Sequence, residues 1–163
     1  MSVKSEYKFS DKHMSADIAL LKRLRNETQA GIADCRIALE VTKGDYKEAI
    51  AWLKAHGLEK ALKKSDRETS QGLVESYIHQ NGRVGAMVEI LCETDFVART
   101  DEFKNLVHEI CMQVAAMNPK DVAFLLKQEY IRDNSKTVGE LIKEVIARLG
   151  ENIVVKEFKR FEI

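Results

Sequence analysis

The sequence has 163 residues, which is enough for one large hydrophobic core or two small ones. Its 26 basic and 26 acidic side chains give a formal net charge of zero, which argues against nucleic-acid binding as the main function. No apolar run approaches the roughly 18 residues that a membrane-spanning helix needs. Three cysteines without a Cys-x-x-Cys motif favour a reducing, cytoplasmic compartment over secretion.

Residues 1–14 are mixed polar and show no periodicity. They lack the apolar segment of a signal peptide, and they also lack the arginine-rich composition of a transit peptide. We interpret them as a disordered leader or a tag. The folded chain is then expected to begin at Ser15, a residue type that is favoured at helix N-caps.

Three short helices are predicted over residues 15–57. Gly31 separates the first helix from the second, and Asp45 opens a capping box that starts the third. The third helix is expected to end at Gly57, which completes a compact three-helix domain. Residues 58–71 are rich in lysine and are predicted to form a connecting helix or linker.

The pattern changes at residue 72, where strand signals replace helical ones. Residues 73–79 and 84–92 are predicted to be two strands of a hairpin, and the second strand alternates apolar and other side chains. The Asn81-Gly82 pair between them favours a type I′ turn. Residues 72–163 are therefore predicted to form an α+β core with a small antiparallel sheet.

The remaining elements supply the helices of that core. Thr100 is expected to cap a long helix with a sustained apolar stripe, and Thr137 opens a second capping box. Residues 121–131 are ambiguous between a helical turn and a short strand. Residues 153–161 are predicted to be the last strand, and its imperfect alternation requires a bulge.

No catalytic set is apparent in the sequence. The four histidines lack metal-binding spacing, and the chain has neither a phosphate-binding loop nor a dinucleotide fingerprint. We therefore predict no catalytic residues, no metal and no cofactor. Glu89, Glu93 and Asp95 lie near one another in the sequence and keep an enzyme as the weaker alternative.

Residues 94–97, Thr-Asp-Phe-Val, place a large aromatic side chain beside an acid at the junction of a strand and a helix. Large aromatics are enriched at interface hot spots, so this turn is a candidate contact with another protein. Burial of Phe96 in the chain's own core is the competing explanation. The turn at residues 30–32 is the second candidate contact.

Several motifs follow one another along the chain, at residues 24–35, 38–39, 44–45, 81–85, 93–99, 150–155 and 160–162. Together they resemble those of the elongation factor Ts family, and the resemblance covers about residues 15–163. Members of this family act as guanine-nucleotide exchange factors for elongation factor Tu. The resemblance implies that the N-terminal three-helix domain is ubiquitin-associated-like.

The resemblance also implies two groups of partner-binding residues. The first group is expected to dock on the G domain of elongation factor Tu, and consists of Arg25, Gly31, Ile32 and Ala33. The second group is expected to wedge near the magnesium site of that partner so that GDP leaves, and consists of Thr94, Asp95, Phe96 and Val97. Asp95 has two possible roles, which are contacting the partner and forming the turn that presents Phe96.

The chain departs from the family between Pro119 and Leu125, where a long helical stretch with a protruding coiled-coil hairpin is nearly absent. There is room for one core half, and short family members dimerise through the core. We therefore predict a homodimer with the final strand or the hairpin at its seam, in the bacterial cytoplasm or an organelle, without direct contact to nucleic acid or membrane. The alternative function is a ubiquitin-associated-like protein-binding module without exchange activity.

Overall fold

The computed structural model describes residues 11–163, with side-chain environments from residue 18 onward. The chain adopts an α+β fold, as predicted, and its contacts divide it into two compact units, residues 1–55 and 56–163. The expectation for residues 1–10 lies outside the described residues. The predicted helix start at Ser15 is wrong, because the first helix begins at Asp11. The domain bounds predicted from the sequence stay a prediction.

The first unit is built on three helices, which are α1 (Asp11–Thr28), α2 (Ile32–Val41) and α3 (Tyr46–Leu62). Asp45 accepts a hydrogen bond from the Glu48 amide at 2.9 Å, so the predicted side-chain cap of the third helix is confirmed. A small apolar core joins the helices and consists of Leu24, Cys35, Ala38, Ala49 and Leu53.

Helix α3 continues through Gly57 to Leu62, so the predicted helix end at Gly57 is wrong. A glycine inside a helix costs only about 1 kcal/mol, which tertiary packing offsets. A Cβ atom at position 57 would lie 3.1 Å from the Ala147 side chain. The missing side chain therefore serves close packing within the second unit, and it does not end the helix.

The second unit contains a sheet, a two-stranded ribbon and four helices. In chain order its elements after α3 are β1 (Gln71–Ile78), β2 (Val84–Cys92), α4 (Asp95–Ala98), α5 (Asp101–Met117), α6 (Val122–Lys127), β3 (Glu129–Tyr130), β4 (Asp133–Thr137), α7 (Val138–Leu149) and β5 (Ile153–Glu162). Residues 121–131, which were ambiguous in the sequence, thus form α6 and then β3. No helix in residues 11–163 is long and apolar enough to cross a membrane.

The antiparallel sheet has the strand order β1-β2-β5, with β2 in the centre. Alternate residues of β2 are buried on the face that α5 covers, and they include Ala86, Val88, Ile90 and Cys92. The hairpin prediction is confirmed, but the type I′ turn is wrong. A type I′ turn needs positive φ at both central residues, whereas here Gly82 has φ +70° and Asn81 does not have a positive φ.

The predicted bulge in the last strand is confirmed. Glu89 pairs with Glu157 and the next residue, Ile90, pairs with Val155, so β5 carries one extra residue, Lys156. The bulge restores the alternation, because Val155 and Phe158 can then face the core on the same side.

Both predicted helix starts in the core are confirmed. The Thr100 hydroxyl accepts from the Phe103 amide at 3.2 Å, and Thr137 forms a complete capping box with Glu140. Helix α5 buries the predicted apolar stripe against the sheet, and α7 packs against α5. These elements fix the end of β2, where the candidate site begins.

Candidate partner-binding site

Residues 94–97 form a single helical turn where β2 ends and α5 is about to begin. Thr94 lies in extended backbone conformation, and its hydroxyl accepts from the Val97 amide at 3.4 Å, which makes it the N-cap of α4. Two residues after α4, Thr100 caps α5. The chain therefore passes from strand to long helix through a short turn with a threonine cap at each end.

The turn has an inner side and an outer side. Ala98 is buried and Val97 packs against the core of the second unit. Phe96 points the other way and is 80% exposed. The alternative that Phe96 belongs to the chain's own core is therefore wrong.

Asp95 also lies on the exposed side of the turn. Its carboxylate pairs with the Arg99 guanidinium at 2.9 Å, one helical turn later. Exposed pairs of this kind contribute little to stability, about 0–1 kcal/mol. Since Thr94 and not Asp95 caps the turn, the turn-forming role belongs to Thr94 and leaves Asp95 accessible to a partner.

Glu151 anchors the start of the turn from across the sheet end. One oxygen of its carboxylate accepts from the Glu93 amide at 3.1 Å and from the Thr94 amide at 3.0 Å. The other oxygen accepts from the Thr94 hydroxyl at 2.6 Å. The sequence analysis assigned no role to Glu151, although the residue stands inside one of the family motifs, because nothing local in the sequence links positions 57 residues apart.

The anchoring is reciprocal. The Asn152 amide donates to the Glu93 carboxylate at 2.6 Å, so each segment supplies a glutamate to the other's backbone. The buried Asn152 side chain donates to the backbone carbonyls of Ser65 and Arg67 at 3.2 and 2.9 Å. The turn is thus tied to two other stretches of the second unit.

Cys92 lies directly beneath this turn. Burial and, to a smaller extent, the neighbouring Glu151 carboxylate together raise the pKa of its thiol to about 11. The sulfur donates to the Thr94 carbonyl at 3.2 Å. A buried thiol that stays protonated is a poor nucleophile, so Cys92 acts as a packing residue with a weak hydrogen bond.

The first predicted group lies in the first unit, around the α1–α2 turn. Arg25 is in the last turn of α1 and is exposed. Gly31 is the N-cap residue of α2, and the cap has no side-chain hydrogen bond. Ile32 is 56% exposed, and Ala33 beside it is also exposed. Gly31, Ile32 and Ala33 thus form an accessible turn with an exposed apolar side chain, and Arg25 is an exposed positive charge at the end of the preceding helix.

The carboxylates that kept an enzyme as an alternative do not form one cluster. Glu89 faces Lys156 at 3.8 Å, Glu93 accepts from the Asn152 amide, and Asp95 pairs with Arg99. Among the side chains of residues 18–163, no group of three or more histidine, cysteine, aspartate or glutamate residues is arranged to hold a metal ion.

Comparison with known proteins gives a consistent result. Residues 93–163 match the family model described as "Elongation factor TS". The elongation factor Ts of Thermoanaerobacter sp. is 43% identical over 187 aligned positions, covering 87% of this chain and 92% of the relative. That of Coprothermobacter proteolyticus is 43% identical over 195 positions, covering 92% of this chain and 99% of the relative.

A third relative, the elongation factor Ts of Nostoc sp., is 48% identical over 144 residues, which cover 88% of this chain and 45% of the relative. The alignments with the first two relatives are longer than the 163 residues of this chain. Those relatives therefore contain residues that this chain lacks.

Proposed function

This chain belongs to the elongation factor Ts family of translation elongation factors, and we propose that it binds elongation factor Tu and promotes the release of GDP. The observation that carries the proposal is Phe96, a large aromatic side chain that is 80% exposed on a short turn. The turn is held by hydrogen bonds on its inner side, so the ring is presented outward in a defined direction. Such an anchored aromatic suits insertion into a pocket of a partner.

The proposed mechanism is coupling between two binding equilibria. Phe96 would insert beside the magnesium and phosphate site of elongation factor Tu and favour the conformation that holds GDP weakly. A protein that binds the nucleotide-free state best must weaken nucleotide binding by the same free energy. Thr94 and Val97 hold the turn, and Asp95 is available for a polar contact beside the ring.

The first unit supplies the second contact of the proposal. Ile32 and Ala33 offer exposed apolar surface at the start of α2, and Gly31 brings the backbone close to that surface. Arg25 adds a charged group that reaches out from the end of α1. This group would dock on the G domain and contribute affinity, while residues 94–97 would act on the nucleotide.

The proposed activity needs no bond to be made or broken by this chain. Binding alone shifts the partner between its conformations, so no catalytic residue, metal or cofactor of this chain takes part. The bacterial relatives support a cytoplasmic location, where translation takes place. The neutral charge agrees with a protein partner and not with a nucleic acid or a membrane surface.

The experiment is the release of fluorescent GDP from elongation factor Tu, followed with and without this chain. Acceleration that saturates with concentration is the expected result. No acceleration at saturating concentration, with binding still detected by calorimetry, would replace the proposal by the alternative of a binding module without exchange activity. No binding at all would contradict both.

We also propose that two copies pair through the outer face of the sheet. Five side chains on that face form the sheet patch, which consists of Val74, Ile78, Met87, Phe161 and Ile163, with exposed fractions between 51% and 85%. Contiguous apolar surface of this kind marks interaction sites in soluble proteins. The patch combines the hairpin and the final strand, which were the two alternatives predicted for the dimer seam.

The centre of the sheet patch has a hollow that an apolar side chain fits. Ile78, Gly85 and Phe161 lie side by side across the three strands, and the Ile78 side chain leans over the glycine, where a Cβ atom would lie 2.7 Å from Ile78 Cδ1. Ile78, Met87 and Phe161 line the gap that remains. A second copy offers the same projecting side chains and the same gap, as a two-fold interface requires.

Charges on the same face favour a second copy as the occupant. In the register of β2 and β5, Lys159 lies opposite Met87. The next pair on the same face of the sheet is Glu157 opposite Glu89. A copy related by a two-fold axis and running the opposite way can set its lysine against these glutamates. The surface is therefore complementary to itself in charge as well as in shape.

Light scattering after size-exclusion chromatography tests the pairing. Wild type is expected to be a dimer, Ile78→Asp a monomer, and Leu62→Asp a dimer. Leu62 is 59% exposed at the end of α3 and is the matched control for Ile78, which is 65% exposed. A wild-type protein that stays monomeric at all micromolar concentrations would refute this part of the proposal.

A further inference from the structure

The backbone that follows β2 lacks strand partners. The last pair between β2 and β5 joins Cys92 to Ile153, and the amides of Glu93 and Thr94 come after it. Both amides donate to the same carboxylate oxygen of Glu151, at 3.1 and 3.0 Å. An ionised acceptor makes stronger hydrogen bonds than a neutral one, so this carboxylate holds the strand end more firmly than a carbonyl would.

The Thr94 hydroxyl has two partners, and the geometry assigns its only proton. It donates to the second oxygen of Glu151 at 2.6 Å, because a carboxylate has no proton to give. Its lone pairs are then free to accept from the Val97 amide at 3.4 Å. Glu151 therefore orients the hydroxyl that caps α4.

Helix α4 depends on this cap because it contains only four residues. A single helical turn is unstable in isolation, since its few hydrogen bonds do not offset the ordering of the chain. Phe96 is 80% exposed, so packing of its own ring does little to fix its direction. The direction of the ring is inherited from the Thr94 cap and from the packing of Val97.

We propose that Glu151 is the positioning residue for Phe96, acting through the Thr94 hydroxyl and the strand-end amides. This inference rests on the proposed exchange function. Glu151 does not touch the partner in this account. It lowers the cost of ordering the turn on binding, because the turn is already held in the conformation that presents the ring.

Glu151 is itself held in place, as a positioning residue must be. Gly150 before it adopts a left-handed conformation, with φ +82°, and ends α7. Asn152 after it donates its amide to Glu93 at 2.6 Å and its buried side chain to the carbonyls of Ser65 and Arg67. The backbone that carries the Glu151 side chain is thus fixed on both sides.

Glu151→Gln is the main test. Glutamine keeps the size of the side chain but has one oxygen and one NH₂ group. If the oxygen accepts from the two amides, the NH₂ group faces the Thr94 hydroxyl and can only donate to it, so the hydrogen bond that orients this hydroxyl is reversed and the charge is lost. The maximal rate of GDP release is expected to fall about tenfold, the effect of losing one hydrogen bond to a charged group. Hydrogen exchange of the Val97 amide is expected to accelerate, while the amides of α5 stay protected.

Thr94→Val keeps the shape of the side chain and removes the hydroxyl, so both the hydrogen bond to Glu151 and the cap on the Val97 amide are lost. It is expected to slow GDP release by at least as large a factor. The double variant is expected to be no more than about twofold slower than the slower single variant, because Glu151 acts mainly through the hydroxyl that Thr94→Val removes. Glu129→Gln, the same substitution at an exposed position of β3, is the control and should leave the rate unchanged.

The outcomes separate this inference from the function on which it rests. If Glu151→Gln releases GDP at the normal rate while Phe96→Ala releases it slowly, the inference is wrong and the proposed function stands. If both variants release GDP at the normal rate, the proposed insertion of Phe96 into the partner is wrong. Slow release with unchanged protection of the Val97 amide also overturns positioning. If Glu151→Gln loses secondary structure by circular dichroism, Thr94→Val decides the question alone, and a normal rate in it overturns the inference.

Discussion

Replacing Phe96 by alanine is expected to slow GDP release strongly and to leave the fold unchanged. The ring is 80% exposed, so its loss creates no cavity in the free protein. Burial of the phenyl ring in a partner removes roughly 120 Å² of apolar surface from water, which at about 25 cal/mol per Å² is about 3 kcal/mol. If the transition state for release receives all of it, the rate falls about 150-fold.

The assay is stopped-flow release of fluorescent GDP from elongation factor Tu, with thermal unfolding of the free variant measured in parallel. Phe124→Ala is the matched control, because Phe124 is 47% exposed and lies on α6, outside the turn. The reasoning is refuted if Phe96→Ala releases GDP as fast as wild type. It is also refuted if the variant unfolds at a clearly lower temperature, since the side chain would then contribute to the fold.

Three further predictions concern the fold of the second unit. Thr137→Ala removes half of the capping box of α7 and should cost about 1 kcal/mol in urea unfolding; an unchanged midpoint would contradict the cap. Gly72→Ala places a Cβ atom 2.1 Å from a backbone oxygen of β2 and should lower stability by more than about 2 kcal/mol, so wild-type thermal unfolding would be evidence against the register. Burial raises the pKa of both Cys92 and Cys111 from 9.0 to about 11, so the folded state favours the protonated thiols. Their contribution to the free energy of unfolding is complete below pH 9 and is lost as the pH rises towards 11. Urea unfolding measured as a function of pH should detect this loss, and Cys111→Ala should weaken it. A stability that does not change over this pH range would argue against buried thiols.

Signals that act over three or four residues predicted their elements correctly. Thr100 and Thr137 each cap the helix that was expected to follow, because a side-chain oxygen and an amide three residues later are brought together by the helix itself. The bulge near Lys156 was also predictable, since the alternation of a strand must match the buried face of its sheet.

Two predictions that rested on glycines were wrong for different reasons. The Asn81-Gly82 pair favours a type I′ turn, but local hydrogen bonds form a different turn, in which the His79 carbonyl accepts from the Gly82 amide at 2.7 Å and left-handed backbone occurs at the glycine of the pair alone. Gly57 was expected to end a helix, and packing against Ala147 keeps it helical. A local preference of about 1 kcal/mol does not outweigh a packed neighbour.

The β3–β4 ribbon was missed for a related reason. The buried Gln113 side chain donates to the Glu129 carbonyl at 3.1 Å and accepts from the Ile131 amide at 3.0 Å. A glutamine on the apolar stripe of α5 gives no indication in the sequence that it satisfies backbone groups 16 and 18 residues away. The role proposed for Glu151 was not predicted for the same reason, because it depends on contacts with Thr94, which lies 57 residues earlier in the sequence.

The exposure of Phe96 does not by itself indicate a binding site. Single exposed apolar side chains are common on protein surfaces, and this chain also exposes Leu62 and Val41. The difference lies in what stands behind the ring. A turn of four residues receives a threonine cap, and a carboxylate from Glu151 holds that cap in place. These contacts fix the direction of Phe96 in the free protein although its side chain remains in water, which supports the proposed insertion of the ring into a partner.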